Sequence, residues 1–287
     1  MRAHLDCIPC FQRQALQAVR FITDDEIIQE RILRLVLEAL QKIDWKQVPP
    51  QIARIIHKIV RDETRERDPY ASVKKKNNDI ALKLYPLMKK KVKESDNPLF
   101  TAVKLAIAGN IIDFGARSEF DLNETIIKVL NSPLKVNHFT QFMQVLAESH
   151  ILTYLGDNTG EIVFDKILLE LILDNYKIDR IQFAVKGAQI INDATIEDAK
   201  YVGLDRIKRL NFVKIDIGEA NTGFNRQDPE FLNILNKSDM IISKGQGNYE
   251  SLSDRKEIFF LLIAKCPVIA RDLGVEVEDI ILKGAYP

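Results

Sequence analysis

From Asp24 to Lys42 the apolar residues Ile27, Ile28, Ile32, Leu35, Val36 and Ala39 recur at three- and four-residue spacing. That period predicts an amphipathic helix, and Thr23 and Asp24 offer caps at its start. Similar patterns predict helices over Gln51 to Val60, Lys74 to Lys93 and Pro98 to Asn110, with breaks at Val48-Pro49-Pro50 and Asp68-Pro69. After His150 the texture changes. Ile151-Leu152-Thr153-Tyr154-Leu155, Arg180 to Val185, Asn211 to Ile217 and Met240 to Ser243 are short apolar runs that predict strands. Helical patterns at Ile162 to Leu173, Thr195 to Val202 and Pro229 to Leu235 separate them. Phe259 to Ala264 is ambiguous between helix end and strand, and Val268 to Ala270 is a further apolar run. Continuous apolar strands alternating with helices predict an α/β fold with a parallel sheet covered on both faces. The expected organisation is a mainly helical region over 1–149 and an α/β domain over 150–287.

Composition adds limits. A chain of 287 residues with 46% hydrophobic and 29% charged residues has enough apolar material for a large core. Lys+Arg and Asp+Glu are equal at 41 each, which argues against a nucleic-acid-gripping protein. The charge is nevertheless uneven: residues 1–150 net +5 and residues 151–287 net −5, with the sign changing where the texture changes. No apolar run reaches the length of a membrane span, and MRAHLDCIPCFQRQ is too polar for a signal peptide. A cytoplasmic protein is expected. The run Lys74-Lys75-Lys76 could meet phosphate, but a solvated helix face is the commoner origin of such a run.

In open parallel sheets ligands bind outside the carboxyl ends of the strands. Three predicted strand ends carry polar clusters: Asp157-Asn158, Lys186 followed by Asp193, and Lys244 followed by Asn248. A carboxylate beside an amide oxygen suits a hard divalent ion, and Thr159-Gly160 would open a helix whose free N–H groups favour an anion. Asp157 or Asn158 could equally cap that helix, with Glu161 completing a capping box. Asp193 carries the same ambiguity, because it or Thr195 could cap the next helix. Lys244-Gly245-Gln246-Gly247-Asn248 sets a cation beside two glycines, which suits phosphate but does not match a Walker loop. His4, Cys7 and Cys10 offer ligands for a soft metal, with Cys266 a fourth only if the fold brings it near. Packed reduced thiols are the leading reading of Cys7 and Cys10, with metal and redox roles as the alternatives.

Together these motifs resemble the metal-dependent damage-control phosphatases, a family formerly catalogued as a domain of unknown function. The resemblance rests on Gly156-Asp157-Asn158-Thr159-Gly160-Glu161, Lys186-Gly187 with Asn192-Asp193-Ala194-Thr195, and Lys244-Gly245-Gln246-Gly247-Asn248-Tyr249-Glu250. In the first half Cys7-Ile8-Pro9-Cys10, Arg13 to Leu16, Asp68-Pro69-Tyr70 with Lys74 and Asn78, and Gly109 to Gly115 agree, the Cys-x-Pro-Cys start being similar to the prokaryotic and archaeal branch. The resemblance implies a Rossmann-like three-layer α/β/α domain with a mainly helical N-terminal region. It implies a divalent metal (Mn²⁺, Ni²⁺, Co²⁺ or Mg²⁺) on Asp157, Asn158 and Asp193, with Lys244 holding phosphate and Glu161 near the metal and its water. Asn110 and Asp113 would face the same cleft. The implied activity is hydrolysis of small phosphorylated metabolites, with no membrane or nucleic-acid partner.

The expected mechanism is attack by metal-activated water that Glu161 or Asp113 positions, with Lys244, Thr159 and Gly160 stabilising the transferring group. Asp157 as a nucleophile is the alternative route. Two other classes fit a Rossmann-like sheet. An S-adenosylmethionine-dependent carboxyl methyltransferase would bind its cofactor without a divalent metal, and a non-catalytic metal- or nucleotide-binding protein would show no turnover. Lys244 favours a phosphate over a sulfonium cation.

Overall fold

A computed structural model describes residues 1–110, 119–215 and 229–284. Three helices come first: α1 (Cys7–Arg20), α2 (Glu26–Leu40) and α3 (Pro49–Thr64). The Asp25 carboxylate accepts from the Ile27 and Ile28 amides and so caps α2, one residue beyond the expected start. Pro49 and Pro50 open α3, where the missing N–H costs nothing. Ile32, Val36, Ile52, Ile56 and Val60 project from the apolar stripes of α2 and α3 into a core shared with Phe11 and Tyr70.

The rest of the chain builds one seven-stranded sheet. Its strands are β1 (Leu134–Asn137), β2 (Ile151–Leu155), β3 (Arg180–Lys186), β4 (Leu210–Ile215), β5 (Met240–Lys244), β6 (Ile258–Ile263) and β7 (Ile280–Gly284). Their order is β1-β7-β6-β5-β2-β3-β4. All neighbours run parallel except β6 and β7, so the sheet is mixed rather than wholly parallel as expected. α4 (Ala71–Lys93), α5 (Pro98–Gly109), α6 (Glu119–Asn131), α7 (Phe139–Glu148) and α8 (Glu161–Asn175) contribute to the core on one face, with Leu152, Tyr154, Phe183 and Ile242 from the strands. α10 (Pro229–Asn236), α11 (Gln246–Leu252) and α12 (Pro267–Leu273) pack on the other, against Leu155, Ala184, Ile241 and Phe260. A short helix, α9 (Ile196–Tyr201), follows β3.

Packing groups the residues differently from the change of texture at 149/150. β1 precedes that point yet joins the sheet beside β7, and α4 to α6 belong to the sheet's own core. Only α1 to α3 form a separate core. Lys74 departs from its expected solvated face. It is buried, with Nζ 2.9 Å from Asp198 and 2.5 Å from the Gln189 side-chain oxygen, and so ties α4 to the segment after β3. The run Val268 to Ala270 is helical because Pro267 sits at the first turn of α12.

The chain runs from β2 outward through β3 and β4, then returns to place β5 on the opposite side of β2. The carboxyl ends of β2 and β5 are therefore the switch point, where an open α/β sheet leaves a crevice.

Candidate active site

Asp157 and Asn158 follow β2 at this crevice, and Gly245 follows β5. Gly245 has φ +78°, and a Cβ built on it would lie 1.9 Å from Oδ2 of Asp157. The glycine is required by both backbone and contact, since no other residue lets β5 pass so close to the carboxylate. The loop after β3 reaches the same place. Asn158 and Asp193 form an isolated antiparallel bridge, and the Ala194 amide donates to the Asp157 carbonyl at 2.8 Å. Thr195 caps α9 in a reciprocal box with Asp198. That resolves the ambiguity at Asp193, whose carboxylate is not used as a cap.

The amide groups are arranged around the carboxylates. Asn158 Nδ2 donates to Asp157 Oδ2 at 2.8 Å and to Glu161 Oε2 at 3.2 Å. Asn110, at the end of α5, donates to Glu161 Oε2 at 2.8 Å and to Asp157 Oδ2 at 3.3 Å. Asn110 Oδ1 is buried and has no hydrogen-bond partner. Burial pushes the Asp157 carboxyl well above its ordinary range, and repulsion from Asp193 and Glu161 adds to the rise. Asp193 is raised too, by burial first, with Lys186, Arg54 and Lys74 pulling it back. A buried cluster of carboxylates that repel each other, beside an amide oxygen with nothing to bond, suits a hard divalent cation. The donor set is mixed: among the described residues no three His, Cys, Asp or Glu side chains group as a metal site by themselves.

Asp157, Asn158, Asp193 and Asn110 line one cavity of about 440 Å³. Lys186 lines it with them, its Nζ donating to Asn248 Oδ1 at 2.9 Å and lying 3.9 Å from Asp193. Burial lowers its pKa, with Asp193 and Asp157 opposing the fall. α1 and α3 form the opposite wall, so the cavity lies between the separate helical core and the sheet's edge. Cys7, Cys10 and Cys266 all line it as free thiols, and burial raises Cys7 and Cys10.

Three expected anion donors are placed elsewhere. Lys244 is fully buried beneath the cavity, where Nζ donates to Glu161 Oε1 at 2.5 Å, Asp165 Oδ1 at 2.7 Å and the Ala106 carbonyl at 2.8 Å. All three ammonium protons are thereby engaged. The backbone N–H of Thr159 donates to the Asn192 carbonyl at 2.9 Å, and that of Gly160 donates to Asn78 Oδ1 at 2.7 Å. Neither residue lines the cavity, because the loop is closed by its own hydrogen bonds before α8 begins. Glu161 is likewise held below the cavity floor, between Lys244 and the two asparagines. Asp113 lies outside the described residues.

Sequence reasoning passed over Arg54 and Lys265, both of which line the cavity. Arg54 falls on the α3 face that carries Pro50 and Ala53 at helical spacing, the only signal that could have found it.

A parallel-sheet switch point with two carboxylates, amide oxygens and lysine in one cleft defines the class: an α/β protein equipped to handle phosphoryl groups. The chain belongs to the damage-control phosphatase family, because the model of the damage-control phosphatase ARMT1-like domain matches residues 3–281. It is 36% identical to a damage-control phosphatase of Pyrococcus horikoshii, across 96% of this chain and 95% of that one. A damage-control phosphatase of Archaeoglobus fulgidus is 33% identical, across 96% and 97%. An uncharacterized protein of Methanocaldococcus jannaschii is 36% identical, across 96% and 93%. The crystal structure of a DUF89 family protein from Pyrococcus horikoshii superposes with a TM-score of 0.89 at 32% identity, covering 99% of both chains. The family and the fold are those the motifs implied, and the protein is a phosphatase by family. No helix among the described residues is long and apolar enough to cross a membrane.

Proposed function

We propose that the protein is a metal-dependent phosphatase hydrolysing phosphate monoesters of small metabolites, sugar phosphates or damaged phosphometabolites, in the cytoplasm. The observation that carries this reading is the unpartnered Asn110 Oδ1 beside the mutually repelling carboxylates of Asp157 and Asp193, in a cavity that also holds Lys186. Asp157, Asn158 and Asp193 would hold the ion (Mn²⁺, Ni²⁺, Co²⁺ or Mg²⁺), and Asn110 has an oxygen to add. A divalent ion bound there supplies Lewis-acid polarisation of a phosphoryl oxygen and acidifies a water.

The chain's own groups do the rest. Lys186 rather than Lys244 presents its ammonium to the phosphoryl oxygens, since Lys186 lines the cavity beside Asp193 and Lys244 does not line it. Lys244 acts one layer down, fixing the Glu161 carboxylate, which in turn orients the Asn110 and Asn158 amides. The Asp157 carboxylate, beside Gly245 and two asparagine amides, is used as a ligand rather than as a nucleophile. Lys186 and Arg54 in the cavity disfavour the sulfonium of S-adenosylmethionine.

The test is p-nitrophenyl phosphate hydrolysis by chelator-stripped protein, with Mn²⁺, Ni²⁺, Co²⁺ or Mg²⁺ restored singly. Turnover should return with at least one ion. Asp157→Ala should lower it by about a hundredfold or more while leaving the circular dichroism spectrum unchanged. Near-normal turnover in that variant would sink the assignment.

A further inference from the structure

We infer that Ile191 is the positioning residue that sets Asp193 for the metal, by pinning the loop after β3 to the separate helical core. The inference rests on the proposed reading of Asp193 as a metal ligand and adds the residue that holds it in place.

The backbone at Ile191 is the first observation. The Asp193 amide donates to the Ile190 carbonyl at 2.9 Å and closes a four-residue turn, in which Ile191 at the second position has φ +45°. Turns with a positive φ there take glycine, asparagine or aspartate, because a Cβ in that region crowds the following carbonyl. A side chain branched at Cβ is the worst placed of all. Four other described non-glycine residues have a positive φ, Arg65, Arg209, Glu257 and Glu278, and none of them is branched at Cβ.

What the isoleucine reaches is the second observation. Its side chain packs against the core of α1 to α3, whose other described members all lie between Ala3 and Tyr70. Among the described residues, Ile191 is therefore the one apolar side chain that the sheet's side of the cavity sends into that core. Burial there offsets the crowded backbone, and a glycine in its place would keep the turn but lose the contact.

The third observation is what the turn carries. On its inner side the Asn192 carbonyl accepts from the Thr159 amide at 2.9 Å and the Thr159 hydroxyl at 3.2 Å, and the Ala194 amide bonds the Asp157 carbonyl. The loop is thereby laced to the segment that bears Asp157 and Asn158. On its outer side Arg61 of α3 donates to the Gln189 carbonyl at 3.3 Å, Lys74 of α4 holds the Gln189 side chain, and Ile191 adds the apolar hold. Asp193 lies between the two sets of holds, two residues beyond Ile191. Its placement against Asp157 thus follows from how the helical core docks on the turn.

The experiment is calorimetric titration of Mn²⁺ into chelator-stripped protein, with p-nitrophenyl phosphate kinetics at limiting and at saturating Mn²⁺. Ile191→Asn, which suits the backbone and loses the apolar contact, should weaken the Mn²⁺ Kd by about tenfold or more. Its turnover should fall at limiting Mn²⁺ and return towards the wild-type kcat at saturation. Ile191→Val, which keeps both the branch and the contact, should retain the wild-type Kd. A merely structural isoleucine would lower Tm in Ile191→Asn and leave the Mn²⁺ Kd alone, and that result would overturn the inference. Wild-type Mn²⁺ binding in that same titration would leave the metal reading standing. A wild-type protein that binds none of Mn²⁺, Ni²⁺, Co²⁺ and Mg²⁺ would remove both. If Ile191→Asn does not fold, an Ile191→Ala protein with unaltered Mn²⁺ Kd overturns the inference alone.

Discussion

Two layers of charge lie one above the other at the carboxyl edge of the sheet, and they are built to opposite rules. In the lower layer Lys244 is bonded to Glu161, Asp165 and Ala106, and Tyr154 donates to the same Asp165 oxygen at 2.7 Å. Burial by itself would pull Lys244 down, but Asp165 and Glu161 outweigh it and hold the ammonium protonated. In the upper layer Asp157 and Asp193 repel each other and Asn110 Oδ1 lacks a partner. The lower layer closes on a central cation, although Asp165 Oδ2 has no hydrogen-bond partner there; the upper one sets two repelling carboxylates and an amide oxygen at a cavity. Buried carboxylates left in mutual repulsion at a cavity suit a ligand, and buried carboxylates drawn onto one ammonium suit a support beneath it.

Substituting each layer separately would break or sharpen this contrast. Lys244→Met leaves Glu161 and Asp165 buried without their cation and should cost about 3–5 kcal/mol in stability, read by chemical denaturation. An unchanged midpoint, with activity lost through KM alone, would return Lys244 to the upper layer. Gly245→Ala forces a side chain into Asp157 at a φ that disfavours it, and should cost on the order of 3 kcal/mol while lowering metal affinity. Equal metal affinity in calorimetry would show that the close approach is incidental.

Glu250, at the cavity edge, is raised by burial from an ordinary value near 4.5 to about 7. The folded state therefore holds its proton more tightly than the unfolded chain does. Its stabilisation is full below about pH 4.5 and is lost as pH rises through about 7. Glu250→Gln should remove this loss, worth up to roughly 3 kcal/mol above neutrality, and so flatten the Tm profile between pH 5 and 8. Identical profiles would refute it. The smallest expected effect is Lys186→Gln, which should leave stability within about 1 kcal/mol and raise KM about tenfold. A larger stability loss than that of Lys244→Met would invert the comparison.

Much of the fold was legible because burial on both faces writes a continuous apolar run. Ile151–Leu155, Arg180–Lys186 and Met240–Lys244 are strands within a residue of their expected limits. β1 escaped notice because Leu134-Lys135-Val136-Asn137 is short and alternates, and β7 because its antiparallel pairing depends on β6. In the site, the three loops that the motifs singled out do meet, and Asp157, Asn158, Asp193 and Asn110 share one cavity. The roles expected of Lys244, Thr159 and Gly160 did not follow from their proximity. Their hydrogen-bonding groups are consumed by Glu161, Asn192 and Asn78, partners that no local pattern announces.

By itself the sequence determined the alternation of strands and helices, the strand ends where polar residues gather, and the family those residues belong to. Only the tertiary structure decided which lysine faces the cavity. Met240, Ile242 and Lys244 share one side of their strand, and that side meets the core containing α5 and α8. Ala184 and Lys186 share the opposite side of theirs. Both lysines end apolar strands and look alike in sequence. Strand parity is written in the chain, but which face is covered by helix and which opens to a cavity is set by the packing of elements far apart in sequence.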